Sequence, residues 1–292
     1  MIVRLDPRRA VPVLQAALKE DVGPRDLTTS ALIPPGAVAE AEIVAQEPGV
    51  IAGLPLVEWG FGLLHRGIRV KPMVRDGDTV QAEKALVFLE GPARPILSGE
   101  RTVLNLLSHL SGIATLTRAF VERVKPYPAR VLDTRKTTPT LRALERYAVA
   151  VGGGRNHRMG LYDQVLIKEN HLQVLAQRLG PKTPHTAVIA EAMAKARQVR
   201  SVKVEIEVRD LEEFQAALDA GATLILLDNM PVEAIREAVR LKRRSGRRVW
   251  LEASGGITLD TVAQVAATGV DYISIGALTR AAPGLDLALD VV

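Results

Sequence analysis

Short apolar runs alternate with helical patterns over the second half of the chain, and this alternation restricts the fold more than any other feature of the sequence. The apolar runs cover 129–133, 163–168, 202–208, 222–228, 248–252 and 270–276. The helical patterns cover 138–151, 185–199, 210–220, 231–244 and 258–268. Strands that alternate with helices form a parallel sheet whose faces the helices cover. Six such runs favour an incomplete (six- to seven-stranded) α/β barrel, and a doubly wound sheet is the alternative.

The N-terminal part of the chain follows a different pattern. Helices are predicted over 8–21 and 54–65, and strands joined by turns over 37–52 and 68–91. The passage DLTTSALIPPG, residues 26–36, is rich in turn residues. A long helical region begins at residue 99, and Gly112 is predicted to break it. These patterns indicate a small α+β domain ahead of the barrel.

Composition excludes several classes of protein. Of the 292 residues, 47% are hydrophobic and 24% are charged, as in ordinary globular proteins. The absence of cysteine excludes disulfides, thiolate zinc sites and a cysteine nucleophile. No apolar run is long enough to span a membrane, and the N-terminus lacks the apolar core of a signal peptide. We therefore expect a cytoplasmic protein with no membrane partner.

The net charge of +5 raises the alternative of a nucleic-acid partner. The cations are interspersed with acids, however, and only 3% of the residues are aromatic, so few side chains could stack on bases. The densest basic run, RLKRRSGRR at 240–248, is typical of a helix C-terminus on a solvated surface. We therefore expect no nucleic acid, and an anionic substrate explains the excess of cations better.

Polar or small residues stand at the C-terminal end of each predicted strand of the second half. In α/β barrels the active site lies at this end of the strands, so side chains from separate strands are expected to converge on one pocket. The residues at these ends are Asp133, Arg135, Lys136, Lys168, Glu205, Glu207, Asp228, Asn229, Glu252, Ser254, Gly255, Gly256, Ser274 and Gly276.

The expected pocket separates by charge. Its cations suit a multiply anionic ligand, and they are Arg135, Lys136, His157, Arg158 and Lys168. Glu207 and Asp228 suit a developing positive charge or a divalent metal. The small residues of EASGGIT (252–258) and SIGALT (274–279) suit a phosphate on backbone N–H groups, which barrels often bind after their late strands.

Each of these residues also fits a structural role when it is taken alone. Asp133 fits a cap of a helix or turn. Glu205 and Glu207 alternate as they would on a solvated strand edge. Lys168 fits a surface ion pair with Glu169. The functional interpretation therefore depends on the position that the residues share at the strand ends.

Eight segments resemble the motifs of the quinolinate phosphoribosyltransferase family. They are DLTTSALIP (26–34), SGERTVLNLLSHLSGIAT (98–115), LDTRKTTPTLR (132–142), GGGRNHRMGLYDQVLIKENH (152–171), VEIEV (204–208), LLDNM (226–230), LEASGGI (251–257) and ISIGALT (273–279). They occur in the order of the family and span almost the whole chain, which makes the resemblance specific.

The resemblance implies an N-terminal α/β sandwich domain over 1–102 and an incomplete α/β barrel over 103–277, with 278–292 packing back on the first domain. It implies that quinolinate reacts with phosphoribosyl pyrophosphate to give nicotinate mononucleotide, pyrophosphate and CO₂, a step of de novo NAD biosynthesis that requires Mg²⁺. It also implies a homodimer whose active sites lie at the interface, and it leaves dimer and hexamer open.

The resemblance also implies how quinolinate is bound. Arg135, His157, Arg158 and Lys168 would surround its carboxylates, and Arg101 would reach them from the partner subunit. GGGRNHRMG (152–160) could instead cradle a phosphate with its glycines. Because the later loops suit phosphate better, we predict that the glycines let the chain turn so that the side chains of this run clamp the dicarboxylate.

The remaining roles that the resemblance implies concern the second substrate. Lys136 would lie near the phosphoribosyl pyrophosphate, and Glu207 and Asp228 would hold the ribose and the Mg²⁺ region, with the ion bound mainly through the pyrophosphate. The 5′-phosphate would be cradled by Ser254, Gly255 and Gly276. The catalytic roles fall to Lys136, Lys168, Glu207 and Asp228.

One position departs from the family pattern, and several alternatives stay open. The family often has histidine after GALT, where this chain has Arg280, which can contact a phosphate but cannot replace a proton role of histidine. A related barrel phosphoribosyltransferase with another substrate is the close alternative. A barrel lyase with a Schiff base on Lys168 is the enzymatic alternative. An anion-binding or nucleic-acid-binding protein is the alternative that is not an enzyme.

Overall fold

The computed structural model describes residues 4–292, which form two compact units. One unit contains the chain up to Arg118 together with 136–154 and 277–292, and the other contains 119–135 and 155–276. The domain limits expected from the sequence, 1–102 and 103–277, stay a prediction, and residues 1–3 lie outside the described part of the chain.

The sheet of the first unit has four antiparallel strands. They are β1 (Val38–Ala45), β3 (Arg69–Pro72), β5 (Lys84–Pro92) and β12 (Leu287–Val291), in the order β12-β1-β5-β3. Two further strands, β2 (Gly49–Val50) and β4 (Thr79–Val80), pair with each other. Because β12 pairs with β1, the C-terminal segment completes the sheet that the N-terminal segment begins.

Six helices belong to this unit or begin in it. They are α1 (Pro7–Val22), α2 (Leu27–Leu32), α3 (Leu54–Leu64), α4 (Ala93–Val124), α5 (Arg142–Val151) and α11 (Ala277–Arg280). Alternate residues of the strands face a core that also takes up one side of α3 and α4, and its members include Ile43, Phe61, Leu89 and Leu107, all fully buried. The turn-rich passage at 26–36 contains α2, because the side chain of Asp26 caps the N–H of Thr29 at 2.9 Å.

The predicted break at Gly112 is wrong, because α4 continues through this residue without interruption. A Cβ atom at position 112 would lie 1.9 Å from the carbonyl oxygen of Pro283. Glycine is present there because the 283–284 segment passes directly against the helix. A glycine inside a helix can therefore indicate close packing rather than a helix end.

The second unit is built on a six-stranded parallel sheet. Its strands are β6 (Arg130–Leu132), β7 (Gln164–Ile167), β8 (Lys203–Val208), β9 (Leu224–Asp228), β10 (Trp250–Ser254) and β11 (Tyr272–Ser274), in the order β6-β11-β10-β9-β8-β7. From β7 to β11 each strand lies beside the next one in the chain, and β11 lies beside β6. A doubly wound sheet would reverse direction at a switch point, so this order confirms the incomplete barrel.

Five helices lie between the barrel strands from β7 to β11, two of them between β7 and β8. They are α6 (Glu169–Leu179), α7 (His185–Ala196), α8 (Leu211–Asp219), α9 (Val232–Ser245) and α10 (Val262–Ala266), of which α6 was not predicted. Strands β6 and β7 form no ladder with each other. A single parallel bridge joins Leu132 to Arg155, and Arg158 Nη1 donates to the carbonyl of Gln164 at 3.0 Å. The segment 155–158 therefore occupies the seam between the first and second strands.

None of the helices within residues 4–292 combines the length and the apolar character that crossing a membrane would require.

Candidate active site

The C-terminal ends of the barrel strands bring several of the predicted residues into one row. Asp228 pairs in register with Ser254, and Ser254 pairs with Ser274. Gly255 follows Ser254 directly, and Gly276 stands two residues after Ser274. An acid and the two small-residue loops therefore lie on neighbouring strands at the same end of the barrel, as the shared position of these residues predicted.

Lys168 and Glu207 form an ion pair at this end of the barrel. Lys168 directly follows β7, Glu207 lies in the neighbouring strand β8, and Nζ is 3.3 Å from Oε2. Glu207 is largely covered, with 13% of its side chain exposed, whereas 48% of the Lys168 side chain is exposed. A Schiff-base lysine needs an amine that is free to attack a carbonyl carbon, whereas this amine is engaged by a carboxylate. The pair therefore favours an electrostatic role for Lys168.

The backbone beside Asp228 has an unusual conformation that Gly255 accommodates. Asn229 has a positive φ of 52°, its N–H donates to the carbonyl of Ser254 at 2.8 Å, and its Nδ2 donates to Asp228 Oδ2 at 2.9 Å. A Cβ at position 255 would lie 2.2 Å from Asn229 Oδ1, and Gly255 itself has a φ of 95°. Only glycine fits both the backbone and the space, which keeps the side chain of Asp228 oriented by Asn229.

His157 lies in the barrel interior among acidic residues. Its Nε2 is 3.1 Å from Glu205 Oε2 and 3.5 Å from Glu252 Oε1, and 9% of its side chain is exposed. Its backbone N–H donates to Asp133 Oδ1 at 2.7 Å. Gln164 Nε2 donates to Glu205 Oε2 at 2.7 Å, so this carboxylate accepts from two donors. Glu205 is fully buried, which rules out the solvated strand edge.

The protonation of this cluster follows from burial and mutual charge. Burial raises the pKa of Glu252 to about 8, and the charge of Glu205 acts in the same direction. Burial lowers the pKa of His157, but the hydrogen bond to Glu205 and the charges of Glu252, Glu205 and Asp133 outweigh it, so the pKa of His157 is raised overall. The proton on Glu252 therefore reduces the negative charge around the imidazole.

The donor atoms of His157, Glu205 and Glu252 lie within 4.8 Å of one another, which is close enough for a metal site. The N–H of Arg158 donates to His157 Nδ1 at 2.7 Å, so Nδ1 carries the lone pair. The proton of a neutral imidazole then sits on Nε2, which donates to Glu205 and offers no lone pair to an ion. The cluster is better explained as a hydrogen-bonded support for the 155–158 segment.

Two of the predicted cations, Arg135 and Arg158, repel each other. Arg158 is buried, and burial together with the charge of Arg135 lowers its pKa. Arg135 is half-buried and follows β6 within the same unit. Two guanidinium groups that repel each other in a covered position are stabilised by an anion between them, and planar carboxylates suit this geometry.

Arg101 and Lys136 belong to the other unit. Arg101 lies on α4 with 63% of its side chain exposed, and its Nη2 is 3.7 Å from Glu100 Oε1. Lys136 is exposed, and its carbonyl accepts a hydrogen bond from Thr279 Oγ1 at 2.8 Å. Arg280 ends the short helix α11 and is exposed.

The glycine run 152–154 serves the backbone in the way that the sequence indicated. Gly153 has a φ of 98°, and Gly152 and Gly154 donate from their N–H groups to the carbonyls of Ala148 and Val149. A Cβ at position 152 would lie 2.6 Å from the carbonyl oxygen of Ala114. The run is therefore a tight turn pressed against α4, and the chain leaves it directly into the 155–158 seam.

A cavity of about 1180 Å³ opens at the other end of the barrel. The first residues of five strands line it, namely Gln164, Lys203, Leu224, Trp250 and Tyr272. Of the predicted site residues at the cationic end, His157 and Arg158 reach its wall. These two side chains therefore lie between the C-terminal strand ends and the opposite mouth of the barrel.

Sequence reasoning missed the residues that support His157. Asp133 was predicted at a strand end, with a cap as the alternative, but not as a partner of His157, and Asn156, whose Nδ2 donates to Asp133 Oδ2 at 2.6 Å, was not predicted at all. The role of Gln164 could not be predicted either, because a glutamine at the start of a strand does not by itself indicate a function. The acids at 205 and 252 were recognised as strand residues, but their contact with the imidazole could not be read from spacing.

Two family models match the chain. The model described as quinolinate phosphoribosyl transferase, C-terminal domain, matches residues 113–290, and the model of the N-terminal domain of the same family matches residues 26–111. Both lie in the order that the sequence motifs have, and together they span most of the chain.

Individual relatives agree with the family models. Nicotinate-nucleotide pyrophosphorylase (carboxylating) of Mycobacterium leprae (strain TN) is 42% identical and covers 95% of this chain and 95% of its own length. Quinolinate phosphoribosyltransferase (decarboxylating) 1b of Nicotiana tabacum is 37% identical over 96% of this chain and 81% of its own. The solved structure of the nicotinate-nucleotide pyrophosphorylase from Francisella tularensis has a TM-score of 0.89 at 34% identity, with 100% and 99% of the two chains covered.

Proposed function

We infer the function from one premise, which is that the chain belongs to the quinolinate phosphoribosyltransferase family. It is an enzyme that transfers the phosphoribosyl group of phosphoribosyl pyrophosphate to quinolinate with decarboxylation, giving nicotinate mononucleotide, pyrophosphate and CO₂, a step of NAD biosynthesis. The observation that carries this conclusion is the match of both family domains across 26–111 and 113–290.

Quinolinate is a dicarboxylate, and we assign its binding to the cations Arg135, Arg158 and Lys168. The repulsion between the guanidinium groups of Arg135 and Arg158 supports this assignment, because a bound carboxylate relieves it. His157 has hydrogen-bond partners at both ring nitrogens, so it orders the segment that carries Arg158. A direct contact between His157 and quinolinate stays a prediction.

The phosphoribosyl pyrophosphate is assigned to the other strand ends. Ser254, Gly255 and Gly276 would hold the 5′-phosphate through backbone N–H groups, since small residues allow a phosphate to approach the chain. Glu207 and Asp228 would face the ribose, and Lys136 would contact the pyrophosphate. The register that joins Asp228 to Ser254 supports a single ligand across these strands.

Glu207 and Asp228 also fit a Mg²⁺ ion, because carboxylate oxygens are its preferred ligands. One oxygen of each carboxylate accepts a hydrogen bond, from Lys168 to Glu207 Oε2 and from Asn229 to Asp228 Oδ2. Within residues 4–292 no hydrogen bond engages the second oxygen of either group. When bound, mainly through the pyrophosphate, Mg²⁺ neutralises charge on the leaving group.

The reaction needs little covalent chemistry from the protein. The pyridine nitrogen bonds to the ribose C1 carbon as the bond to pyrophosphate breaks, and the electron pair of that bond leaves with the pyrophosphate. Glu207 and Asp228 stabilise the positive charge that builds on the ribose. The bond from the adjacent ring carbon to its carboxylate then breaks and CO₂ leaves. The electron pair of that bond stays on the ring carbon, where the positive pyridinium nitrogen stabilises it, and the carbon takes up a proton from water. The side chains supply position and fixed charge.

We also propose that the active form is a homodimer in which Arg101 enters the active site of the partner subunit. The exposure of this guanidinium on α4, with a weak contact to Glu100 at 3.7 Å, leaves it available for such a contact. Whether dimers associate into hexamers, and the location in the cytoplasm, stay predictions.

The direct test mixes the protein with quinolinate, phosphoribosyl pyrophosphate and Mg²⁺ and follows nicotinate mononucleotide by chromatography. We expect one nicotinate mononucleotide for each CO₂ released. Folded protein that yields no product would contradict the proposed function. Borohydride in the presence of a keto acid should trap no adduct on Lys168, whereas trapping would support the Schiff-base lyase.

The carboxylate clamp has its own test in Arg135→Ala. We expect this variant to raise the KM for quinolinate by a factor that corresponds to about 2–5 kcal/mol, with a small change in the KM for phosphoribosyl pyrophosphate. Arg130→Ala is the matched control, because Arg130 is exposed at the N-terminal end of β6, the strand that Arg135 follows. An unchanged KM for quinolinate in Arg135→Ala would refute the clamp.

A further inference from the structure

The cavity at the N-terminal mouth of the barrel has no role in the function proposed above. It lies where five strands begin, whereas Lys168, Glu207 and Ser254 lie where strands end. Trp250 and Ser254 begin and end the same strand, and four residues of strand span about 13 Å. Its volume of about 1180 Å³ is slightly above the usual range for small-molecule sites, which is about 300–1,000 Å³.

The wall of this cavity is strongly basic. Four of its cations have no hydrogen bond or ion pair from their side chains to any residue within 4–292, and they are Arg155, Arg200, Lys203 and Arg248. Two acids line the same cavity. Asp163 accepts from the backbone N–H groups of Met159 and Gly160, and Glu252 is protonated at neutral pH. The cations therefore dominate the charge, and such a group of unpaired cations attracts a multiply charged anion.

One side of the cavity is aromatic, in a chain with only two tryptophans. The rings of Trp250 and Tyr272 lie 5.9 Å apart at an angle of 42°, and 43% of Trp250 is exposed. Lys242 Nζ lies 6.0 Å from the centre of the Trp250 ring. A large aromatic side chain that stays exposed beside unpaired cations offers a surface on which a planar ring can stack.

We propose that this cavity is a second ligand site, which binds a nucleotide. The base stacks on Trp250, and the phosphates are held by Arg200, Lys203 and Arg248. None of these four side chains is assigned to the catalytic end of the barrel, so the second site shares no phosphate contact with phosphoribosyl pyrophosphate. His157 and Arg158 also line the cavity. A nucleotide bound there would therefore lie beside the 155–158 segment, which positions the quinolinate clamp.

Fluorescence of Trp250 tests the proposal. The variant Trp59→Phe leaves Trp250 as the single tryptophan and is titrated with ADP, with quinolinate and pyrophosphate present to fill the catalytic end. We expect ADP to quench Trp250 in a saturable manner. Arg200→Ala and Arg248→Ala in this background should each weaken ADP binding about tenfold, because each removes a charge-assisted phosphate contact. Both arginine variants should form nicotinate mononucleotide at the rate of the parent when ADP is absent.

Controls separate the base from the phosphates. Arg244→Ala is the matched control, since Arg244 is exposed, pairs with Glu237 and does not line the cavity, and it should bind ADP like the parent. Tripolyphosphate should bind more weakly than ADP, because it cannot stack on Trp250. Equal affinity for the two would overturn the nucleotide assignment. Quenching that disappears when the catalytic end is filled would place ADP there and overturn the second site, as would unchanged affinity in both arginine variants.

Binding of a nucleic acid instead of a nucleotide is the remaining outcome of this test. Single-stranded RNA that binds more tightly than ADP, with a steep loss of affinity as salt is raised, would show a nucleic-acid surface and overturn the proposal. Formation of nicotinate mononucleotide is measured separately, so failure of this site is distinguishable from failure of the proposed function.

Discussion

Glu205 and Glu252 lie beside the same imidazole, yet they carry different charges. Burial and the charge of Glu205 raise the pKa of Glu252 to about 8, so this carboxyl is protonated at neutral pH. Glu205 accepts from Gln164 and His157, which is the pattern of a carboxylate. The proton on Glu252 removes one negative charge from the surroundings of the histidine, which limits the desolvation cost of the interior.

Glu252→Gln tests this assignment through the dependence of stability on pH. The folded pKa of Glu252 is raised, so the stability that its proton contributes is complete below the unfolded value of 4.5 and is lost as pH rises toward about 8. Glutamine cannot ionise. Wild type and variant should therefore have similar free energies of unfolding near pH 4.5. At pH 8 the free energy of unfolding of wild type should be lower than that of the variant by a few kcal/mol. Denaturant titrations measure this, and parallel pH profiles would contradict it.

Glu205→Gln is expected to behave differently. The carbonyl oxygen of glutamine can accept from both donors at the Oε2 position, but its NH₂ group then replaces Oε1, which is buried and has no hydrogen-bond partner within residues 4–292. We expect a loss of about 2–3 kcal/mol in the free energy of unfolding at neutral pH. A higher KM for quinolinate should accompany it, because His157 then no longer holds the segment of Arg158. A variant with the stability and the KM of wild type would contradict the support role.

Among the elements, those with strong periodicity could be predicted from the sequence, and those with weak periodicity could not. The six barrel strands are short apolar runs, which local pattern reveals. Helix α6 buries only Leu172, so its apolar face is too narrow to recognise. Helix α2 has six residues and depends on the cap at Asp26 rather than on an apolar face.

The same reasoning explains which parts of the site could be predicted. The residues at the strand ends could be predicted because one rule applies to every strand of a barrel: the active site lies at the C-terminal ends of the strands. The support of His157 comes from Asp133, Gln164, Glu205 and Glu252, which lie on four separate strands or strand ends. Their contact depends on how the barrel closes at the 155–158 seam, and no local pattern encodes that.

Two glycines in helices give a paired prediction at the scale of elements. Alanine in place of a helical glycine usually stabilises a helix by about 1 kcal/mol. Gly62 in α3 has open space around it, so Gly62→Ala should stabilise. At Gly112 the new Cβ would meet the backbone of Pro283, so Gly112→Ala should cost about 2 kcal/mol or more despite the better helix propensity. Thermal and denaturant unfolding compare the two, and equal effects would contradict the packing role.

Asp76 connects three elements of the first unit. Its Oδ1 accepts from the N–H groups of Gly53 and Leu54 at 3.0 and 3.1 Å, which caps α3 from a distant loop, and Tyr147 of α5 donates to its Oδ2. Burial raises the pKa of Asp76 despite these bonds. Asp76→Ala should lower the free energy of unfolding by about 2–4 kcal/mol, since it leaves two backbone donors and a phenol without an acceptor. Asp76→Asn keeps an acceptor and should cost clearly less, and equal losses would contradict the capping role.

Over the whole molecule, the chain passes four times between its two units, at 118/119, 135/136, 154/155 and 276/277. Arg135 and Lys136 therefore fall on either side of one of these crossings, although they are neighbours in the sequence. Arg101 and Lys136 belong to one unit, and the other predicted site residues belong to the other. The proposed origin of Arg101, from the partner subunit, can therefore be tested by exchanging subunits.

Mixing two inactive variants makes this test. Arg101→Ala and Asp228→Asn each remove one residue proposed for the active site. If Arg101 acts across a dimer interface, a mixed dimer contains one site with both residues intact, so refolding the variants together should restore up to about a quarter of wild-type activity. If Arg101 acts within its own subunit, each site of the mixed dimer lacks one residue and no activity returns. Arg101→Ala mixed with Arg101→Lys serves as the control, because no combination of these two restores the arginine.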